Sequence, residues 1–106
     1  MSEKPDIQTR NLPSNPTEIA DNINRAFQSS DIDAICRAIG EATRLYNISE
    51  MSKKAGIKRE SIYRSFGGHQ HPNLTTVVSV LDAMGFRLKV MPRRGKRLGL
   101  ARERQR

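Results

Sequence analysis

The sequence predicts an all-α fold, a bundle of about five helices that ends in one short β-strand. Apolar residues recur at helical spacing in successive segments, and residues that cap helices well precede them. Gly56 and Gly85 follow two of these segments, at positions where helices commonly end. Residues 86–90 instead alternate apolar and basic side chains, which is the pattern of a half-buried strand.

The composition indicates one small domain with an aliphatic core. Of 106 residues, 36% are hydrophobic and 5% aromatic, and there is no tryptophan, so oligomerisation is a plausible way to bury more surface. The single cysteine, Cys36, excludes an internal disulfide and fits a reducing cytosol. No stretch reaches the ~18 apolar residues that span a bilayer, and no secretory signal is visible. We therefore predict a cytoplasmic protein without a membrane partner.

We expect the globular domain to span residues 16–92, with an arm before it and a tail after it. Residues 1–15 contain prolines, asparagines and scattered charges without a period, which predicts a flexible arm. Residues 93–106 are basic and almost featureless, which predicts a disordered tail. The alternative is that the tail adds phosphate contacts, which raise affinity for nucleic acid without reading its sequence. The cations available for this are Arg93, Arg94, Lys96 and Arg97.

Two amphipathic helices are predicted before the centre of the chain. The first begins at Pro16, and the second is opened by Ser30, which together with Asp33 approximates a capping box. Gly40 lies within the second helix at a cost of roughly 1 kcal/mol relative to alanine, which indicates a closely packed neighbour. The inward positions of the first helix are Ile19, Ile23, Ala26 and Phe27. Those of the second are Ile32, Ile35, Cys36, Ile39, Ala42 and Leu45.

Residues 49–66, SEMSKKAGIKRESIYRSF, are typical of a helix-turn-helix that reads DNA. Ser49 is expected to cap a short helix that ends at Gly56, because glycine enters a left-handed backbone conformation without steric cost. A second short helix, which is expected to start at Lys58, directs Ile62 inward. Such a pair presents its second helix to the major groove. The inward positions of the first helix are Met51, Ser52 and Ala55.

Polar and basic side chains occupy the outward positions of this motif. Lys58 stands at the start of the second helix, where backbone N–H groups and the helix dipole favour a phosphate. The other expected phosphate contacts are Ser49, Lys53 and Lys54. The candidates for contacts to base edges, with Tyr63 reaching a thymine methyl or a phosphate, are Arg59, Glu60, Ser61, Tyr63 and Arg64. The alternative for Glu60 is an ion pair with Arg64 within the helix.

The last helix and the strand follow the motif. Asn73 is expected to cap the helix and Gly85 to end it. Its apolar positions are Leu74, Val77, Val78, Leu81 and Met84. An isolated strand is not stable, so we predict that residues 86–90 pair with the same strand of a second subunit in a homodimer. The dimerisation residues are then Phe86, Leu88 and Val90.

Charge divides the chain into two parts with different expected partners. The net charge is +8. Residues 1–47 hold five Lys/Arg against seven Asp/Glu, whereas residues 48–106 hold fourteen against four. The basic part favours a polyanion such as DNA, and the acidic part suggests a second surface with a different partner.

Metal binding and catalysis are not predicted. His69 and His71 form a His-x-His pair, but no third or fourth ligand lies nearby in sequence, and a zinc site needs three or four. No nucleophile, base and orienting residue form a set, and Cys36 lies on an apolar helix face. We therefore expect neither an enzyme nor a cofactor.

These motifs resemble the addiction-module antidote proteins, which are helix-turn-helix antitoxins with a lambda-repressor-like fold. The likeness is most specific in AGIKRESIYRSF and PNLTTVVSVLDAMGFRL, and it covers about residues 16–92. Carried over position by position, it implies that the DNA-reading helix is Lys58–Ser65 and the turn glycine is Gly56. One departure is Ser65, at a position that is usually apolar in helix-turn-helix proteins, so Phe66 is expected to supply that contact. The basic tail beyond Pro92 lies outside the likeness.

The resemblance implies an antitoxin with two partners. It would neutralise a small ribonuclease-type toxin of the RelE/ParE fold, and it would repress its own operon as a homodimer on double-stranded operator DNA. Because a toxin that binds RNA should be basic, we expect the acidic part of the chain to face it. The candidate toxin contacts are Asp21, Asp31, Asp33 and Glu41. The alternatives are a stand-alone, phage-like repressor without a toxin and a non-specific nucleic-acid-binding protein.

Overall fold

The structure, a computed structural model, describes residues 15–67, 70–95 and 98–101. The five predicted helices are confirmed, and they are α1 (Pro16–Ser29), α2 (Ile32–Thr43), α3 (Ile48–Ala55), α4 (Arg59–Ser65) and α5 (Leu74–Ala83). Helix α2 packs along α1, α3 packs on α5, and α4 contacts both α3 and α2. The predicted arm, apart from Asn15, lies outside the described residues, and so do Lys96, Arg97 and residues 102–106 of the predicted tail. No helix within the described residues is long and apolar enough to cross a membrane.

Asparagine or aspartate caps four of the five helices. The caps are Asn15, Asp31, Asn47 and Asn73, and each side-chain oxygen accepts at least one backbone N–H of the first turn at 2.8–3.3 Å. The prediction for Asn73 is confirmed. The predictions that Ser30 opens α2 and that Ser49 caps α3 were wrong. Ser30 instead ends α1 with a left-handed φ of 60°, and Ser49 already lies inside α3, so the extended residues Asp31 and Asn47 cap the helices.

The core lies where the inward faces of all five helices meet. Its buried apolar residues are Ile19, Ile23, Ile35, Cys36, Ile39, Ala42, Met51, Ile62, Phe66, Val80, Leu81 and Met84. Four residues that were predicted to point inward are exposed: Ile32, Leu45, Leu74 and Val78. Ile32 and Leu74 are the first residues of their helices and Leu45 follows the end of α2, so all three lie at helix ends. Val78 lies one turn after Leu74 on the same side of α5.

The predicted strand over residues 86–90 is not formed in the described chain. Phe86 instead helps to close α5, where its N–H donates to the Leu81 carbonyl at 2.9 Å and the Gly85 N–H donates to Asp82 at 2.9 Å. Gly85 has a φ of 91°, as predicted for the glycine that ends this helix. The Phe86 ring packs edge-on against Tyr46, with 6.5 Å between centroids. Leu88 and Val90 point into solvent, since no described segment pairs with this stretch.

Candidate nucleic-acid interface

The turn between α3 and α4 consists of Gly56, Ile57 and Lys58. Gly56 has a φ of 71°, which confirms the prediction of a left-handed glycine. Its N–H and that of Ile57 both donate to the Ser52 carbonyl, at 2.9 and 3.2 Å. The Ser52 hydroxyl in turn donates to the Ile57 carbonyl at 2.5 Å. One residue of α3 therefore binds the turn through both its backbone and its side chain.

Helix α4 begins at Arg59, one residue later than predicted, and it depends on its neighbours more than on its own ends. Lys58 precedes it as the N-cap residue, and its side chain makes no capping hydrogen bond. Ile62 is fully buried, at 0% exposure. Packing of this one side chain against the other helices is therefore a main contact that holds α4 on the bundle.

The far end of α4 lies against α2 at Gly40. A Cβ atom at Gly40 would stand 2.6 Å from the carbonyl oxygen of Phe66 and 3.2 Å from its Cβ atom. This confirms the expectation of a closely packed neighbour at Gly40. Phe66 is buried and Ser65 half-buried, so Phe66 supplies the apolar contact that Ser65 lacks.

The structure brings the predicted DNA-contacting residues together on one pair of short helices. The α3–α4 unit, residues 48–65, carries five Lys/Arg against two Asp/Glu. The exposed residues of the predicted set are Ser49, Lys53, Lys54, Lys58, Arg59, Glu60, Tyr63 and Arg64. Ser61 is half-buried, and its hydroxyl accepts from Arg64 Nη2 at 3.5 Å. No ion pair joins Glu60 to Arg64 among the described residues, so the intra-helix alternative for Glu60 is not formed here.

The acidic residues predicted to face a toxin lie on α1 and α2, but their environments differ. Asp31 is used as the cap of α2, and Asp33 Oδ1 lies 2.9 Å from His71 Nε2. Asp21 and Glu41 are exposed and have no hydrogen bond or ion pair within the described residues. Two cations, Arg37 and Arg44, are also exposed along α2 and its end, so the acidic surface is interrupted.

The histidine pair at positions 69 and 71 was considered for metal binding, and Cys36 for reactivity. His69 lies outside the described residues, and His71 is engaged with Asp33. Among the described residues, no group of three or more His, Cys, Asp or Glu side chains is placed to hold a metal. Cys36 is buried at 4% exposure, and burial, together with the Asp33 carboxylate, raises the pKa of its thiol. A raised pKa disfavours the reactive thiolate.

Sequence reasoning missed two contacts of this region. The Ser52 hydroxyl bond spans five residues, and its geometry depends on the turn itself. The Asp33–His71 contact joins residues 38 apart in the chain, so no local sequence pattern predicts it.

The sequence is similar to a known protein family and to a bacterial protein. A family model described as "Probable addiction module antidote protein" matches residues 5–92. A protein of Haemophilus influenzae strain Rd, described as an uncharacterized protein, is 32% identical over 77 residues, which cover 73% of this chain and 79% of that protein. No solved structure matches the chain significantly.

Proposed function

This chain belongs to the family of probable addiction module antidote proteins, and from that premise we propose that it is an antitoxin with two activities. It neutralises a cognate toxin of the RelE/ParE fold, and it represses its own operon by sequence-specific DNA binding as a homodimer. The observation that carries the DNA-binding part is the cationic, exposed face of the α3–α4 unit. The toxin-binding part follows from the family.

In this proposal α3 lies across the phosphate backbone and α4 enters the major groove as the recognition helix. Lys53 and Lys54 are in the last turn of α3, and Lys58 immediately precedes α4. Cations in this arrangement neutralise phosphates on either side of a helix that lies in the groove. The contacts from these lysines orient the protein and supply affinity for any DNA sequence.

The outward residues of α4 supply the proposed sequence readout. Arg59 and Arg64 match the paired acceptors of guanine, and Glu60 matches the amino group of cytosine. Arg64 Nη2 lies 3.5 Å from the Ser61 hydroxyl. Tyr63 is 46% exposed and is placed for a thymine methyl group or a phosphate. The exposure of these side chains supports the proposal because none is needed for the core.

A homodimer fits this mode of binding because one recognition helix of seven residues reads a short half-site, and two related helices read an inverted repeat. Of the predicted dimerisation residues, Phe86 is partly covered by Tyr46. Leu88 and Val90 are 41% and 96% exposed, and a second subunit that covered them would remove apolar surface from water. These two residues are therefore the stronger part of the proposed dimer contact.

We place the toxin on the outer face of α1 and α2. Asp21 and Glu41 are the strongest candidates, because their carboxylates are not already engaged within the described residues. Asp31 and Asp33 remain in the proposed surface. The carboxylate of each already contacts another group of the chain, so it is less available to a partner. A basic RNA-cleaving toxin would be complementary in charge to such a face.

The test of the proposed function is a footprint of the purified protein on the DNA upstream of its own gene, with and without the product of the neighbouring gene. We expect a protected inverted repeat and a complex with the neighbour's product. Affinity for random DNA equal to that for the upstream DNA would contradict specific repression and favour non-specific binding. A protected repeat without any complex would instead favour the stand-alone repressor.

A second test concerns the toxin surface. Reversing both charges, Asp21→Lys with Glu41→Lys, should weaken the complex with the neighbour's product while the upstream DNA is still bound. Asp82→Lys is the matched control, since Asp82 is an exposed acidic residue on α5. Equal affinity of the double variant and the control for the toxin would contradict this placement.

A further inference from the structure

We propose that Ser52 is a positioning residue for DNA readout, which orients the start of α4 through its hydroxyl group. The inference rests on the proposed DNA-binding function, and it goes beyond it by assigning a role in specificity to a residue that does not face the DNA. Ser52 is half-buried on the inward side of α3.

Three hydrogen bonds of Ser52 hold the peptide groups of the turn. Its carbonyl accepts from the N–H groups of Gly56 and Ile57, which is ordinary for a helix that ends at a left-handed glycine. The hydroxyl bond to the Ile57 carbonyl, at 2.5 Å, is additional. Ile57 is thereby held at both its N–H and its carbonyl, one residue before Lys58.

This bond matters more here than it would at a helix with its own cap. The Lys58 side chain makes no capping hydrogen bond, so α4 lacks the local restraint that Asn or Asp gives to the other four helices. Among the described residues, the Ser52 hydroxyl makes the side-chain hydrogen bond that joins α3 to the turn. Its loss leaves a partly buried carbonyl without that partner and frees the direction in which α4 begins.

The two ends of α4 respond differently to such a loss. The far end is held where the Phe66 backbone packs closely on Gly40, so that an added Cβ atom would lie 2.6 Å from the Phe66 carbonyl oxygen. Helix α4 is roughly 10 Å long, so a rotation of about 10° about that fixed end moves the near end by almost 2 Å. This is much larger than the few tenths of an ångström that a hydrogen bond to a base tolerates. Arg59, next to the turn, is therefore displaced more than Arg64.

The experiment compares Ser52→Ala with Ser52→Thr, which retains the hydroxyl. Equilibrium affinities for the operator found by the footprint and for random DNA are measured by fluorescence anisotropy, and helical content by circular dichroism. We expect Ser52→Ala to lose operator affinity on the order of tenfold, with a much smaller change in random-DNA affinity and unchanged helical content. Ser52→Thr should restore most of the operator affinity. The control is Ser79→Ala, because the half-buried Ser79 makes no side-chain hydrogen bond within the described residues.

A double-mutant cycle distinguishes positioning from general destabilisation. The effect of Ser52→Ala should be much smaller when Arg59 is already alanine, and nearly unchanged when Arg64 is alanine. An unchanged ratio of operator to random affinity in Ser52→Ala, or equal coupling to both arginines, overturns the proposal. If Ser52→Ala has lost its helical content, Ser52→Cys, which keeps the volume but donates a hydrogen bond weakly, is judged by the same ratio.

The failure of this inference is distinguishable from failure of the proposed function. A wild-type protein that binds the upstream DNA no better than random DNA overturns both. A wild-type protein that prefers its operator, together with a Ser52→Ala variant of the same preference, overturns the role of Ser52 alone.

Discussion

Helices α3 and α4 are adjacent and similar in length, with eight and seven residues, yet they are stabilised in different ways. Helix α3 is determined at both ends by its own sequence, with Asn47 accepting two N–H groups and Gly56 closing the last turn. Helix α4 has no side-chain cap at its start, and it is held by the buried Ile62 and by the contact between Phe66 and Gly40.

The difference teaches that the two helices depend on different parts of the chain. Isolated helices of seven or eight residues are unstable in water, so both depend on the bundle, and α4, which has no side-chain cap at its start, depends on it more. Its inward positions therefore carry its stability, and its outward positions are left for other uses. Helix α3 is capped at both ends by its own residues, whereas α4 has no side-chain cap at its start. We expect this difference, and the difference between inward and outward positions, to appear in four measurements.

The largest expected effect comes from removing the side chain that anchors α4. Ile62→Ala should lower the free energy of unfolding by about 2–5 kcal/mol, because it deletes buried methyl groups and leaves a cavity. Chemical denaturation monitored by circular dichroism measures this. The adjacent Tyr63→Ala, at a 46% exposed position, should change it by less than about 1 kcal/mol. Equal losses in the two variants would contradict the division between inward and outward positions.

The second effect is on DNA binding and compares the outward faces of the two helices. Arg59→Ala should weaken operator binding by about 1–3 kcal/mol and relax the preference at one base position. Lys54→Ala should weaken binding to all sequences alike, because a phosphate contact carries no sequence information. Competition with a set of single-base operator variants measures both. If Arg59→Ala also lowered affinity uniformly, direct base readout by Arg59 would be wrong.

The third effect concerns the contact at the far end of α4. Gly40→Ala places a Cβ atom 2.6 Å from a backbone oxygen, which costs about 1–3 kcal/mol of overpacking. The intrinsic gain in helix propensity offsets about 1 kcal/mol, so we expect a net loss of up to about 2 kcal/mol in thermal or chemical unfolding. Gly99→Ala is the control, because nothing lies within 4 Å of its added Cβ atom. A stabilised Gly40→Ala variant would mean that α2 and α4 separate easily.

The smallest effect compares the starts of α3 and α4. Asn47→Ala removes a cap and should lower the free energy of unfolding by about 1 kcal/mol, whereas Asn47→Asp should retain most of it. Lys58→Ala removes no capping bond and should stay within about 0.5 kcal/mol of wild type. Denaturant titration of the three variants checks this. A loss at Lys58 as large as that at Asn47 would contradict the contrast between the two helices.

Local signals were sufficient to predict where most helices lie. Gly56, Gly85 and Asn73 act through their own backbone or side chain, and each does what its residue type predicts. The caps at Asp31 and Asn47 were misassigned to nearby serines, because both residues of each pair are good caps. Which one acts depends on where the backbone first becomes helical.

Features that depend on a neighbour could not be read from periodicity. Ile32 and Leu74 fit the apolar stripes of their helices, yet both are exposed at the first position of their helices. The alternation from Phe86 to Val90 predicted a strand, but Phe86 is used to close α5. In the candidate interface, the outward residues were predictable from their spacing except for Ser61, which is half-buried. The Ser52 bond was not, since it depends on the path of the turn.

The approach of the Phe66 backbone to Gly40 has a consequence for how such a protein changes its target during evolution. This contact between the main chains of α2 and the end of α4 does not depend on the identity of the outward side chains. Under the proposed mode of DNA readout, substitutions at Arg59, Glu60, Tyr63 or Arg64 would therefore redirect the protein to a new operator without rebuilding its scaffold. Two paralogues in one cell could diverge in the promoters they occupy while retaining an identical frame.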